Sequence, residues 1–124
     1  MSQTVRASAA PAAIGPYSQA VVSGNLIFTS GQIPLDPQTG EVVGDDIRTQ
    51  TEQIMRNLSA VLAAACTSLD RAVKITCYLA DMADFAVFNE VYATYVKNAP
   101  ARSCVAVRAL PRGVLAEVEV IAEL

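Results

Sequence analysis

Residues 115–124 read Leu115-Ala116-Glu117-Val118-Glu119-Val120-Ile121-Ala122-Glu123-Leu124. Side chains alternate across a strand. Ala116, Val118, Val120, Ala122 and Leu124 therefore make one clean apolar face, and Glu117, Glu119, Ile121 and Glu123 make the other. The apolar face must meet a core. The preceding strand, predicted over 103–109, is mostly apolar on both faces, with Val105, Val107 and Ala109 against Cys104, Ala106 and Arg108. Leu110-Pro111-Arg112-Gly113 joins the two.

Further back, residues 73–79 alternate as a strand, with Val73, Ile75, Cys77 and Leu79 on one side and Lys74, Thr76 and Tyr78 on the other. Asp45-Asp46 opens the clearest helix, because acids suit a helix N-terminus. Ile47, Ile54, Leu58, Val61, Leu62 and Ala65 form its apolar stripe. Arg48, Gln50, Glu52, Gln53, Arg56 and Asn57 lie away from that stripe, and the helix should stop near Cys66-Thr67-Ser68. Residues 85–96 form a second helix, with Phe85, Phe88, Val91, Tyr92 and Tyr95 on its stripe. Residues 19–23 and 26–30 are strands joined across Gly24-Asn25, a two-residue hairpin signal. A short strand is expected over 5–8.

The predicted order is βββαβαββ, an α+β fold formed by a single domain over residues 1–124. Two helices cover only one face of a five- or six-stranded sheet. Apolar residues on both faces predict that the open face is buried in further copies of the chain.

Composition sets limits on the chemistry. At 124 residues, 52% apolar and 17% charged, the chain has enough material for one core. A net charge of −3 suits neither nucleic acid nor an anionic membrane as a partner. There is no histidine, which excludes imidazole-based triads, bases and metal ligands. Cys66, Cys77 and Cys104 are widely spaced and form neither a disulfide framework nor a zinc pattern, so no metal is expected. The longest apolar run, 60–66, has seven residues, whereas a membrane-spanning helix needs about twenty. With no targeting pattern at the start, a cytoplasmic protein is expected.

Few residues remain that could do chemistry. Arg102, at the mouth of a strand, has a fork suited to a carboxylate, or it closes a surface salt bridge. Glu117 and Glu119 share a face and suit acid–base work if one is desolvated, or they form a solvated edge. Tyr17 follows Gly15-Pro16 as a rigid aromatic, fit for a ligand or for the core. Ser30-Gly31 exposes backbone groups at a strand end. Cys104 has no base to activate it and reads as packing.

Four segments together resemble the RidA/YjgF reactive intermediate deaminase family. They are Ile14-Gly15-Pro16-Tyr17-Ser18-Gln19-Ala20, Thr29-Ser30-Gly31-Gln32-Ile33-Pro34, Pro100-Ala101-Arg102-Ser103-Cys104-Val105 and Glu117-Val118-Glu119-Val120-Ile121-Ala122. They stand in the family's order, and the likeness runs from about residue 4 to the C-terminus. The resemblance implies a chorismate-mutase-like subunit with a mixed sheet, a homotrimer and ligand clefts between subunits. It implies cofactor-independent hydrolysis of 2-imino acids, chiefly 2-iminopropanoate and 2-iminobutanoate, released by pyridoxal-phosphate-dependent dehydratases. Carried over by position, Arg102 would grip the substrate carboxylate and Glu117, not Glu119, would position the attacking water. Tyr17, Ser30, Gly31, Asn89 and Cys104 would line the cleft.

The chain departs from the family at Cys66, where glycine is usual, in a shorter 96–99 segment, and at Ala106 and Arg108. Other readings of the resemblance are an aminoacrylate- or aminomuconate-type C–N hydrolase and a non-catalytic metabolite-binding or chaperone-like trimer. A ribonuclease fits poorly with a pI near 4.8, two lysines and no histidine.

If 103–109 and 115–124 pair as a hairpin, Arg102 lies opposite a residue near 122, roughly 16 Å from Glu117. A small imino acid does not span that gap. Either the two strands are not direct partners, or Arg102 meets the Glu117 of a neighbouring subunit, and the second is the expectation.

Overall fold

The computed structural model describes residues 2–124. Its strands are β1 Ser2–Val5, β2 Ala20–Ser23, β3 Leu26–Thr29, β4 Ala72–Leu79, β5 Ala101–Ala106 and β6 Ala116–Glu123, and its helices are α1 Ile47–Ala64 and α2 Phe85–Tyr95. The expected element order holds. The sheet runs β1-β2-β3-β6-β4-β5, and only the β4–β5 pair is parallel. The core lies between the sheet and the two helices and includes Ile54, Leu58, Leu62, Ile75, Phe88, Val118 and Val120. β6 alternates as its sequence demands: Ala116, Val118, Val120 and Ala122 are buried, while Glu117, Glu119 and Ile121 are half-buried on the far side. Among the described residues, no helix is long and apolar enough to cross a membrane.

Several sequence expectations need correction, most for a tertiary reason. The hairpin between β5 and β6 does not form, because β4 lies between them, antiparallel to β6 and parallel to β5. β5 itself is shifted to 101–106, and the first strand ends at Val5 rather than starting there. Beyond Val5 the chain leaves the sheet because the Gln19 side chain takes over its backbone partners: the Ala7 N–H donates to Gln19 Oε1 at 2.6 Å. Val73 does not face the core. The register slips between Ala72 and Lys74, so Ala72 is buried in its place and Val73 bulges outward, 40% exposed. Gln50 and Asn57, which lie off the apolar stripe, are nonetheless buried. α1 is flanked by loops, and these amides hold them. Gln50 accepts from the Leu115 N–H at 2.8 Å and donates to the Gly44 carbonyl, and Asn57 donates to the Leu35 carbonyl at 3.0 Å.

Asp46 caps α1, its carboxylate accepting from the Thr49 N–H at 2.9 Å. At the other end, Thr67 N–H donates to Leu62 O and Cys66 N–H to Ala63 O, which is a Schellman cap. The left-handed position of that cap, φ 62°, is filled by Cys66. A side chain there is strained, whereas glycine is not. Cys66→Gly is therefore expected to raise stability by about 1 kcal/mol, shifting Tm upward by roughly 4 °C at fixed protein concentration. A thermal melt in which the glycine variant unfolds earlier would show that the cap carries no strain.

Candidate active site

Between β3 and β6 the ladder slips. Phe28 pairs with Ile121 and Gln32 bridges to Val118, so Thr29, Ser30 and Gly31 oppose only Glu119 and Val120. This bulge re-aims the chain next to Glu117. The Thr29 hydroxyl replaces a lost ladder partner by accepting from the Val120 N–H at 2.9 Å. The Ser30 N–H donates to the Gln19 carbonyl at 2.9 Å, and its hydroxyl donates to the Ser18 carbonyl at 2.6 Å. Ser30 thus fastens the loop that carries Tyr17.

Gly31 is the floor under the Glu117 side chain. A Cβ at Gly31 would fall on Glu117 Oε2, with Cδ at 2.9 Å and Cγ at 3.1 Å. Tyr17, Gln19, Ser30, Gly31, Ile33 and Glu117 line one cleft of about 420 Å³. Tyr17 stands at its rim, 54% exposed, on a turn where Gly15 adopts φ 127°.

Burial, and then the charge of Glu119, raises the proton affinity of Glu117 above that of an ordinary carboxylate. Its carboxylate has no hydrogen bond or ion pair among the described residues. Glu119 differs in this respect, because its Oε1 accepts from the Tyr78 hydroxyl at 2.6 Å.

Arg102 is built into another part of the molecule. It is half-buried on β5, and its guanidinium stacks over the Tyr92 ring at 4.8 Å and the Phe85 ring at 5.6 Å. Nη1 donates to Asn89 Oδ1 at 2.6 Å. Three residues of α2 thus hold the fork, and Arg102 has no carboxylate partner among the described residues. The surface salt bridge considered for it does not form. Cys104 sits in register with Cys77. Burial pushes the Cys77 thiol up to about 12 and raises Cys104, with Arg102 pulling the latter back only partly. Both stay protonated at neutral pH, which agrees with packing rather than nucleophilic chemistry.

The seven candidate residues therefore fall into two groups: Tyr17, Ser30, Gly31 and Glu117 in the cleft, and Asn89 on α2 with Arg102 and Cys104 on β5 beneath it. Register shows how far apart the groups are. Arg102 pairs with Ile75, whose side chain is buried against the helices, so Arg102 faces the helices. Glu117 pairs with Tyr78, which points to the opposite side, so Glu117 faces the open side of the sheet. The two are also two strands apart and offset by three residues along β4, roughly 14 Å between Cα atoms. Within one subunit they cannot share a small ligand.

Sequence reasoning missed Gln19, whose amide donates to the carbonyls of Ala7 at 3.0 Å and Pro11 at 2.7 Å and so shapes the cleft wall. Its signal was available: a polar residue at the start of an otherwise apolar strand. It also missed Phe85 and Tyr92 as partners of Arg102, since aromatics on a helix stripe read as core.

Comparison with known proteins bears on the fold and the family. The Endoribonuclease L-PSP family model matches residues 7–124. A RutC family protein of Pyrococcus horikoshii is 51% identical over 123 residues, covering 98% of each chain. Reactive Intermediate Deaminase A of Arabidopsis thaliana, a chloroplastic protein, is 45% identical over 98% of this chain and 66% of its own length. The crystal structure of E. coli TdcF with bound serine superposes with a TM-score of 0.93 at 41% identity, covering 98% of each chain. With its mixed sheet, its two helices on one face and relatives that match it end to end, the chain belongs to the endoribonuclease L-PSP family, the RidA/YjgF family that includes reactive intermediate deaminases.

Proposed function

We propose that the protein is a cofactor-independent deaminase that hydrolyses small 2-imino acids, such as 2-iminopropanoate and 2-iminobutanoate, to 2-keto acids and ammonia. One observation carries the reading: Arg102 is a half-buried guanidinium, gripped by Asn89 and two rings, with no anionic partner among the described residues. Such a fork suits a substrate carboxylate. The relative named as a reactive intermediate deaminase and the neighbour solved with serine support a small substrate derived from an amino acid.

In this reading the site lies between subunits of a homotrimer. Arg102 of one subunit holds the carboxylate, and Glu117 of the next holds a water against the imine carbon. β5 is a sheet edge with unpaired backbone, and Phe28 and Val105 are exposed on the uncovered face. Both features support such an assembly. The imine carbon is already electrophilic, so orientation supplies most of the catalysis. Water attacks the protonated imine, and Glu117 takes a proton from it as the oxygen bonds to carbon. That proton passes to the amine nitrogen, the C–N bond breaks as ammonia leaves, and the hydroxyl proton returns to Glu117 as C=O forms. Tyr17, Ser30 and Gly31 form the wall beside Glu117, while Cys104 lies beside Arg102. No nucleic-acid partner is part of this reading, in keeping with the net charge of −3.

A coupled assay tests it. A threonine dehydratase turning over threonine releases the imine, and keto acid formation is followed with and without this protein. Acceleration in proportion to added protein is expected, and an unchanged imine lifetime would overturn the reading.

Gly31 offers a sharper check on Glu117. Its backbone is not in the left-handed region, so alanine is conformationally allowed, but the added Cβ displaces the Glu117 carboxylate. Gly31→Ala is expected to fold normally and lose about 10²-fold in kcat/KM, the effect of misplacing a reacting group by about 1 Å. Near-normal kinetics would remove Glu117 from the reaction.

A further inference from the structure

Tyr78 lies directly opposite Glu117 on the neighbouring strand, and its ring reaches diagonally to Glu119. Glu119 sits two residues from Glu117 on the same face, so the two side chains leave the strand about 7 Å apart. The Tyr78 hydroxyl donates to Glu119 Oε1 at 2.6 Å, which fixes that carboxylate beside Glu117 instead of letting it turn to solvent. Glu117, Glu119, Tyr78 and Gly31 line a common hollow on the open side of the sheet, continuous with the cleft through Gly31 and Glu117.

Within one subunit, and among the described residues, no cation faces Glu117; in the shared site proposed above, Arg102 of the next subunit stands across the substrate from it. From β6 Glu117 meets Glu119, from β4 Tyr78, and across the cleft Tyr17. Arg112, on the turn after Pro111, donates instead to the Gly40 carbonyl at 2.7 Å. Lys74, farther along β4, reaches Ser103 at 3.4 Å. Glu119 is thus the charged group of its own subunit that Glu117 meets.

We propose that Tyr78 and Glu119 form a positioning pair for Glu117, in which Tyr78 pins a negative charge beside it and that charge governs proton exchange at Glu117. This rests on the role given to Glu117 above. A base that takes a proton from water and must return it to nitrogen works best when it holds that proton neither too weakly nor too tightly. An isolated surface glutamate gives the proton up too readily. A fixed like charge, added to burial, strengthens its hold.

The sign of the effect follows from this. Removing the Glu119 charge makes Glu117 release its proton more readily, so its ionised form persists to lower pH. In Glu119→Gln the acid limb of kcat/KM should therefore move down by about half a pH unit, the effect of one charge about 7 Å away in a water-like dielectric. Tyr78→Phe should move it the same way, because the freed Glu119 carboxylate swings away. In the Glu119→Gln background, Tyr78→Phe should add nothing.

The second readout does not need activity. The Glu117 side-chain carboxyl carbon is titrated by NMR in wild type and in each variant, with its signal assigned by Glu117→Gln. A midpoint that falls in Glu119→Gln and in Tyr78→Phe supports the pair. A midpoint unmoved in folded Glu119→Gln overturns it, and one unmoved only in Tyr78→Phe overturns the pinning. If wild type fails to hydrolyse imines, the functional reading falls, and the NMR titration still decides the pair.

Discussion

Arg102→Lys is expected to lose at least about 10²-fold in kcat/KM while staying folded. The substitution keeps the positive charge, so a site needing only electrostatic attraction would tolerate it. The surroundings of Arg102 are shaped for a plane, not a point. The guanidinium lies over Tyr92 and Phe85, and one nitrogen is committed to Asn89, which leaves the rest of the fork to face a carboxylate. Lysine cannot stack in that way or donate two parallel bonds. A charge-assisted bidentate contact is worth about 1.5–3 kcal/mol, or roughly one to two orders of magnitude in binding, and misorientation of the imine carbon adds to that. Stability should change little. Among the described residues Arg102 has no ion pair to break, and the lost ring stacking amounts to about 0.5–1 kcal/mol. Steady-state kinetics alongside thermal denaturation reads both quantities. A folded lysine variant within about threefold of wild type would end the carboxylate-anchor role.

The contrast between β6 and β5 shows what the sequence could and could not convey. The face assignment of β6 follows from its own period of two, and every buried residue between Ala116 and Ala122 was legible. The same local logic found α1, whose cap at Asp46 and stripe at Ile54, Leu58, Val61 and Leu62 are all in place. The partner of β6 was not legible. Joining neighbouring strands is a sound default, but here β4, some forty residues earlier, enters between them, and only long-range packing decides that. The bulge at Val73 and the inward turn of Gln50 and Asn57 have the same origin, because each answers to a loop or strand distant in sequence. At the site, motif resemblance singled out Arg102 and Glu117. Their orientation needed the register of β4, since parity across two strand pairings puts them on opposite faces.

That parity gives the prediction with the clearest outcome. Arg102→Ala and Glu117→Gln proteins should each be inactive, yet unfolding them together and refolding the mixture should restore activity. Within one subunit the two side chains point away from each other through the sheet, so no local adjustment brings them together. If each site takes Arg102 from one subunit and Glu117 from the next, an intact site forms wherever a Glu117→Gln subunit supplies the arginine and an Arg102→Ala subunit supplies the glutamate. Random assembly from equal parts produces that junction about one time in four, so roughly a quarter of wild-type activity should return. The two variants refolded separately and then combined serve as the control and should stay inactive. Glu117→Gln suits this test because it replaces a carboxylate that burial and Glu119 already strain, so that variant should be no less stable than wild type at neutral pH. The sign agrees: a carboxyl that holds its proton more tightly in the folded state favours folding below its ordinary titration range, and that advantage is gone by neutral pH. Mixed oligomers confirmed by mass but still inactive would show that Arg102 and Glu117 do not act in one site, and the shared site would have to be abandoned.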